Sequence, residues 1–193
     1  KKRILSGIMA MTPGTFAVVA VAQMTDNMNM GKSNNPMVGG SPMYANKNII
    51  ENAVNSKDHT TLVAAVKAGG LVDTLSGPGP FTVFAPTNEA FDKLPAGTVD
   101  TLVKPESKDT LVKILTYHVV AGKVSAKELI KMIKSGGGKA TLKTVQGGTL
   151  TAAVVGGKVV LTDEKGGSST VTIADVNQSN GVIHVVDTVL MPN

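Results

Sequence analysis

The 193-residue chain has no cysteine and no tryptophan, and only two Tyr and four Phe. Without cysteine there is no disulfide framework, thiolate zinc site, iron–sulfur cluster, catalytic thiol or lipidation cysteine. An aromatic share of 3% leaves little for the stacking platforms that hold single-stranded nucleic acid, where each stacked base contributes ~1 to 3 kcal/mol. Aromatic cages and broad sugar-stacking surfaces are disfavoured for the same reason. What is present is enough for a core: 42% of residues are hydrophobic and 17% charged, a balance outside the disordered range.

The formal charge of +5 and the pI near 9.4 suggest an anionic partner until the charges are located. Lys1, Lys2 and Arg3 precede an apolar, charge-free stretch from Ile4 to Ala22, which ends in the small-residue pattern Ala20-Val21-Ala22. That arrangement predicts a secretory signal peptide over residues 1–22, cleaved after Ala22. A spanning helix needs ~20 predominantly apolar residues, and Thr12-Pro13-Gly14-Thr15 interrupts this one. Removing the three basic residues leaves +5 − 3 = +2. The expected product is secreted, in a periplasm, outside the cell or at its surface, with no integral membrane segment in the mature chain and no nucleic-acid partner.

Residues 23–43, rich in Asn, Gly, Met and Pro, show no sustained hydrophobic periodicity and read as a flexible spacer. The folded domain is expected over 44–193. Its first half carries helical spacing: Ile49, Ile50, Ala53 and Val54; then Leu62, Val63, Ala65 and Val66 behind Ser56 or Asp58 as caps and ahead of Gly69-Gly70. Phe81–Ala85 reads as a buried strand after the breaker Gly77-Pro78-Gly79-Pro80. Further helices are predicted from Thr87 or Asn88 to Leu94, from near Pro105 through Leu115, and from the capping box Ser125-Ala126-Lys127-Glu128, with Tyr117–Val120 as a strand entry between the last two. From Ala140 onward short β runs alternate with Gly147-Gly148, Gly156-Gly157, Gly166-Gly167 and Asn180-Gly181, pairs that allow the positive φ of tight hairpins. Helices followed by an antiparallel meander give an α+β class.

Three stretches resemble one family. FTVFAPTNEAF, with Phe81, Phe84, Pro86, Thr87 and Phe91, looks like the first signature of the fasciclin (FAS1) domain. NGVIHVVDTVLMP, with Asn180, Gly181, His184 and Asp187, looks like the second, and Tyr117-His118 resembles the tyrosine–histidine motif between them. The resemblance covers the chain from about Tyr44 onward and implies a wedge-shaped β-sandwich flanked by short helices. It also implies a non-catalytic role in cell adhesion or in binding a protein, cell-surface or matrix partner. In animal members, integrin-binding stretches include an Asp-Ile pair before the second signature and the tyrosine–histidine region. Those stretches correspond here to Asp175-Val176, with Val in place of Ile, and to Tyr117-His118, which makes these four residues the candidate partner contacts.

Enzymatic readings find little support. No Gly-x-Ser-x-Gly elbow is present, and the three histidines, His59, His118 and His184, have no metal-ligand spacing; no cofactor is expected. His118 and His184 sit among apolar residues and are expected to be buried and hydrogen-bonded. The alternative to a binding domain lies in the spacer. Met24, Met28, Met30, Met37 and Met43 offer soft thioethers suited to Cu(I), so a periplasmic metal-binding or small-molecule-binding stress protein is the competing class. The plainer reading of Pro36–Met43 is a strip lying against the domain.

Overall fold

The computed structural model of the protein describes residues 35–193. The signal segment with its cleavage point, and Met24, Met28 and Met30, lie outside the described residues.

The spacer expected to reach Met43 is corrected at once, because its end is folded. Strands β1 (Met37–Val38) and β2 (Ser41–Pro42) form a two-stranded hairpin around Gly39 and Gly40, at φ +58° and +74°. A Cβ on Gly39 would collide with Ser56 Oγ and the amides of Lys57 and Asp58, so only glycine fits this approach. Val38 and Met43 are buried in the main core. Two anchors and a tight turn are too short to produce periodicity, so the strip resembled a linker in sequence.

A run of short helices follows. α1 (Ile49–Ala53) starts at an Asn48–Glu51 capping box. α2 (Thr60–Gly69) follows a 3₁₀ turn over Lys57–His59 and ends on Gly70 in the left-handed region. Neither Ser56 nor Asp58 caps it: the Ser56 hydroxyl bonds His59 Nδ1 at 2.9 Å. Asn88, 27 residues away, instead accepts the Thr61 amide at 3.0 Å. α3 (Val72–Ser76) leads into strand β3 (Phe81–Pro86), and Thr87 caps α4 (Asn88–Asp92) through the Ala90 amide. α5 (Thr98–Leu102) and a 3₁₀ turn at Pro105–Ser107 precede α6 (Lys108–Tyr117). Tyr117 therefore closes a helix, with His118 as its C-cap, and strand β4 (Val119–Ala121) begins two residues later than the strand entry predicted.

The predicted capping box holds at α7 (Ala126–Ser135), where Ser125 and Glu128 bond each other's backbone amides. The meander then runs through β5 (Lys139–Lys143), β6 (Thr149–Val155), β7 (Lys158–Thr162), β8 (Ser168–Gln178) and β9 (Gly181–Val186). The larger sheet has the order β4-β3-β9-β8-β7-β6-β5, with all neighbours antiparallel except β3 and β9. A bridge between Val120 and Thr144 brings its two ends together. β8 pairs with β7 through residues 168–170 and with β9 from Val171 onward, with register shifts on either side of Ile173. Such bulges bend a strand and carry β8 from one half of the near-closed sheet to the other. The α+β class expected from the sequence is observed.

Alternation along β3 divides the interior in two. Val83 and Ala85 face a core shared with α1, α2, α4 and α6, whereas Phe84 faces a second core filled by β5–β7 and capped by Leu129 and Ile133 of α7. A strand covered on both sides reads as a continuous apolar run, as Phe81–Ala85 and Val182–Val186 do.

Candidate interaction surface

Segments far apart in sequence become neighbours at the centre of the sheet. β3 and β9 pair in parallel, Phe81 opposite Gly181 through Pro86 opposite Val186, while β4 flanks β3 on its other edge. Phe84 lies opposite His184, and their rings stack with centroids 5.6 Å apart. Both signatures and the residues after the tyrosine–histidine pair thus form three adjacent strands.

The side chains of those motifs face inward. Tyr117, at 0% exposure, donates its hydroxyl to the Thr149 carbonyl at 2.7 Å and accepts from the Glu164 amide at 3.2 Å. His118 Nδ1–H donates to the Ile114 carbonyl at 2.9 Å, and Nε2 accepts from the Leu190 amide at 3.0 Å. This pair of bonds requires a neutral ring, and burial pushes the His118 pKa down to about 4. His184 Nε2–H donates to the Val124 carbonyl at 2.8 Å and Nδ1 accepts from the Asp175 amide at 3.3 Å. Burial lowers its pKa as well.

The second signature acts as a tie. Asn180 Nδ2 donates to the carbonyls of Leu75 and Gly77, and Oδ1 accepts the Ile49 amide at the start of α1. Neither Asn180 nor Gly181 has positive φ, so the expected Asn-Gly hairpin geometry is not the reason for this pair. A Cβ on Gly181 would strike the Phe81 carbonyl. Asp187 accepts from the Thr170 amide at 2.8 Å and the Thr188 hydroxyl at 3.0 Å. Burial pushes its pKa up, but these bonds, with Lys93 and Ser169, leave it below the ordinary value. Phe91 is buried in the first core and Phe81 packs half-buried against it, while Pro86 is buried at the end of β3.

Of the four candidate contacts, Tyr117, His118 and Val176 are buried and present no side-chain surface. Only Asp175 is exposed. It has φ +57° in the bulged part of β8, a conformation that Asp tolerates better than most residues, and its carboxylate accepts the Ala126 amide at the start of α7 at 2.7 Å.

Asp175 adjoins an open groove of about 690 Å³ lined by Lys123, Ser125, Lys127, Glu128, Lys131 and Asn177. The Ser125 amide and hydroxyl, aided by Lys123 and Lys131, hold the Glu128 carboxyl below its usual range. Ser125, Lys127 and Glu128 appeared in the sequence only as parts of a capping box, and the groove itself did not emerge from motif reading, although lysines at 123, 127 and 131 recur every four residues. An enclosed apolar cavity beneath α1 and α2, about 30 Å³ and lined by Ile49, Leu62, Leu75 and His118 among others, is far below the ~300 Å³ at which small-molecule sites begin.

His59, given no role by the sequence beyond its count, is also buried. Its Nδ1 meets Ser56, while Nε2 makes no hydrogen bond of good geometry; burial lowers its pKa against the pull of the Ala85 carbonyl. Ser56 and His59 resemble a nucleophile–base pair but are both sealed from solvent. Among the described residues no cluster of three or more His, Asp or Glu could hold a metal ion. Met43 is core, which removes it from the Cu(I) candidates, and Met37 is exposed on the hairpin.

The fasciclin domain model matches residues 57–192. The chain belongs to the fasciclin domain family. Fasciclin relatives include protein sll1483 of Synechocystis sp., 53% identical over 144 residues that span 75% of this chain and 73% of that one. Immunogenic protein MPB70 of Mycobacterium bovis is 39% identical over 145 residues, 72% of this chain and 66% of its own. Cell surface glycolipoprotein MPB83 of the same species is 37% identical over 179 residues, 93% of this chain and 66% of its own. A solved fasciclin domain pair from the insect cell adhesion molecule fasciclin I superposes with a TM-score of 0.67 at 20% identity, covering 75% of this chain and 51% of that structure. That likeness establishes the fold.

Proposed function

We propose that this fasciclin domain is an exported, non-catalytic interaction module that binds a partner at the cell surface or in the surrounding matrix. The observation that carries the reading is the division of labour among its residues. The motif side chains are committed to internal bonds, and an open groove adjoins Asp175, the exposed member of the motif pair. The name of MPB83, a cell surface glycolipoprotein, supports a surface setting, as does the signal-like composition of residues 1–22. Contact therefore runs through the loop before α7, α7 itself and the Asp175–Asn177 stretch of β8, and Tyr117 and His118 act by holding that frame in place.

The test is a steric block that leaves charge unchanged. Asn177→Tyr places a ring over the groove at an exposed position. Purified protein is added to cells lacking its gene, and saturable binding to their envelopes is measured beside the melting temperature. Binding reduced at least tenfold with an unaltered melting temperature is expected. Wild-type binding by the blocked variant, or no saturable binding by the wild type, overturns the reading.

A further inference from the structure

We infer that the groove beside α7 binds an extended acidic polysaccharide, one bearing carboxylates or sulfates along its length. This inference rests on the reading of the groove as the contact surface and adds the chemical class of the partner.

The argument begins with where the charge lies. Residues 35–193 carry 15 Lys and 13 acids, which is 15 − 13 = +2, so the body as a whole is nearly neutral. Between 123 and 143 the balance changes: Lys123, Lys127, Lys131, Lys134, Lys139 and Lys143 accompany a single acid, Glu128. All six lysines are exposed. Lys123, Lys127 and Lys131 line the groove together, and Lys134 lies one turn further along α7. At ~1.5 Å rise per helical residue, Lys127, Lys131 and Lys134 form a row about 10 Å long. Lys123 extends that row beyond the helix start.

Glu128 is the one carboxylate lining the groove, and it offsets Lys123 and Lys131 only in part. Glu128 directs its carboxylate to the Ser125 amide and hydroxyl, at 2.9 and 3.1 Å, and Asp175 directs one oxygen to the Ala126 amide. Among the described residues none of the four lysines forms an ion pair. Four lysines in line against one lining acid, in place of a convergent nest, match an extended polyanion better than a single small anion.

The other lining residues select among polyanions. No aromatic residue lines the groove, so bases have nothing to stack on. The only arginine of the chain is Arg3, so the groove lacks the planar fork that grips phosphate bidentately. The groove's lining is polar and charged, unlike the apolar pocket that seats the aromatic or arginine anchor on which protein interfaces rely. Ser125 and Asn177 do offer a hydroxyl and an amide among the lysines, groups suited to sugar hydroxyls. An acidic glycan uses all of these and needs none of the missing ones.

The probe is polygalacturonate, with dextran sulfate as the sulfated counterpart and neutral dextran as the control. Affinity is measured by biolayer interferometry on the full chain at salt concentrations from ~50 to ~200 mM. Three or four released counterions predict a loss of roughly tenfold or more across that range. The double variant Lys127→Glu/Lys131→Glu is expected to lose at least tenfold in affinity. A charge-matched control, Lys104→Glu/Lys158→Glu at exposed positions outside the groove, is expected to stay within twofold of wild type. Both variants are checked for an unchanged melting temperature; should the groove pair unfold, Lys127→Gln/Lys131→Gln replaces it.

Equal losses in the two pairs would reduce the effect to net charge and overturn the inference, as would binding independent of salt, equal binding to neutral dextran, or tighter binding of single-stranded DNA or polyglutamate. Envelope binding that Asn177→Tyr abolishes, in a protein that ignores both acidic glycans, would leave the contact surface standing and remove only its assigned partner.

Discussion

His118 and His184 show how a polar residue becomes structural when both of its ring nitrogens are used. Each ring donates from one nitrogen and accepts at the other, so each is held in a single neutral tautomer. His118→Ala leaves the buried Leu190 amide without its partner, at a cost of about 1 to 3 kcal/mol, while the Ile114 carbonyl keeps the residue 118 amide. Thermal melting of that variant should fall well below wild type, and a variant that melts normally yet loses envelope binding would contradict the internal role. Asn180 is tied three ways, and Asn180→Ala should destabilise by at least as much, read as a lower urea midpoint at unchanged slope. The motif residues were legible in sequence as important, and the burial of His118 and His184 was expected from their apolar neighbours, whereas the inward direction of Val176 was not. A motif records that a residue type is required and says nothing of whether it faces solvent.

At the level of elements, local and long-range capping part company. The Ser125–Glu128 box lies within four residues and was legible, because both partners belong to one turn. Ser125→Ala should cost ~1 kcal/mol, detectable by urea titration, with faster amide exchange in the first turn of α7. The start of α2 could not be read in the same way, since its acceptor is Asn88 on another element. The hairpin at Met37–Pro42 shows a different limit. Its Gly39-Gly40 turn obeys the rule that located the later hairpins, but its strands are two residues each and show no alternation. Met43→Ala should cost roughly 2 to 5 kcal/mol, the range for removing a buried Met side chain, whereas a linker methionine would be neutral. The melting temperature of that single variant decides between the two.

For the molecule as a whole, the three buried histidines set the response to acid. All have pKa values lowered by burial, His118 to about 4. A lowered folded-state value means that the unfolded chain takes up the proton first. Stability is therefore full above the unfolded value near 6.5, declines as pH falls through the window down to about 4, and levels off below it for His118. At ~1.4 kcal/mol for each pH step, His118 alone accounts for a loss on the order of 3 kcal/mol. Urea midpoints measured between pH 7 and pH 4 should drop accordingly, and His118→Gln should flatten the profile. A wild-type midpoint that stays constant over that range would show that His118 accepts a proton without penalty.

Much of the architecture followed from short-range chemistry. Periodicity, glycine pairs and the capping box located most helices and every strand of the meander, because each depends on residues within one turn or one hairpin. The five-residue helices α3 and α5 escaped, having no side-chain cap to mark their starts. By itself the sequence determined the α+β class, the family resemblance and the near neutrality of residues 35–193 against the +5 of the whole chain. Only the tertiary structure decided that Phe81–Pro86 and Gly181–Val186 pair side by side in parallel, that Val176 points inward, and that the lysines around α7 share a groove with Asn177. Those outcomes depend on which distant surfaces exclude water together, a property of the packed chain that no local window contains.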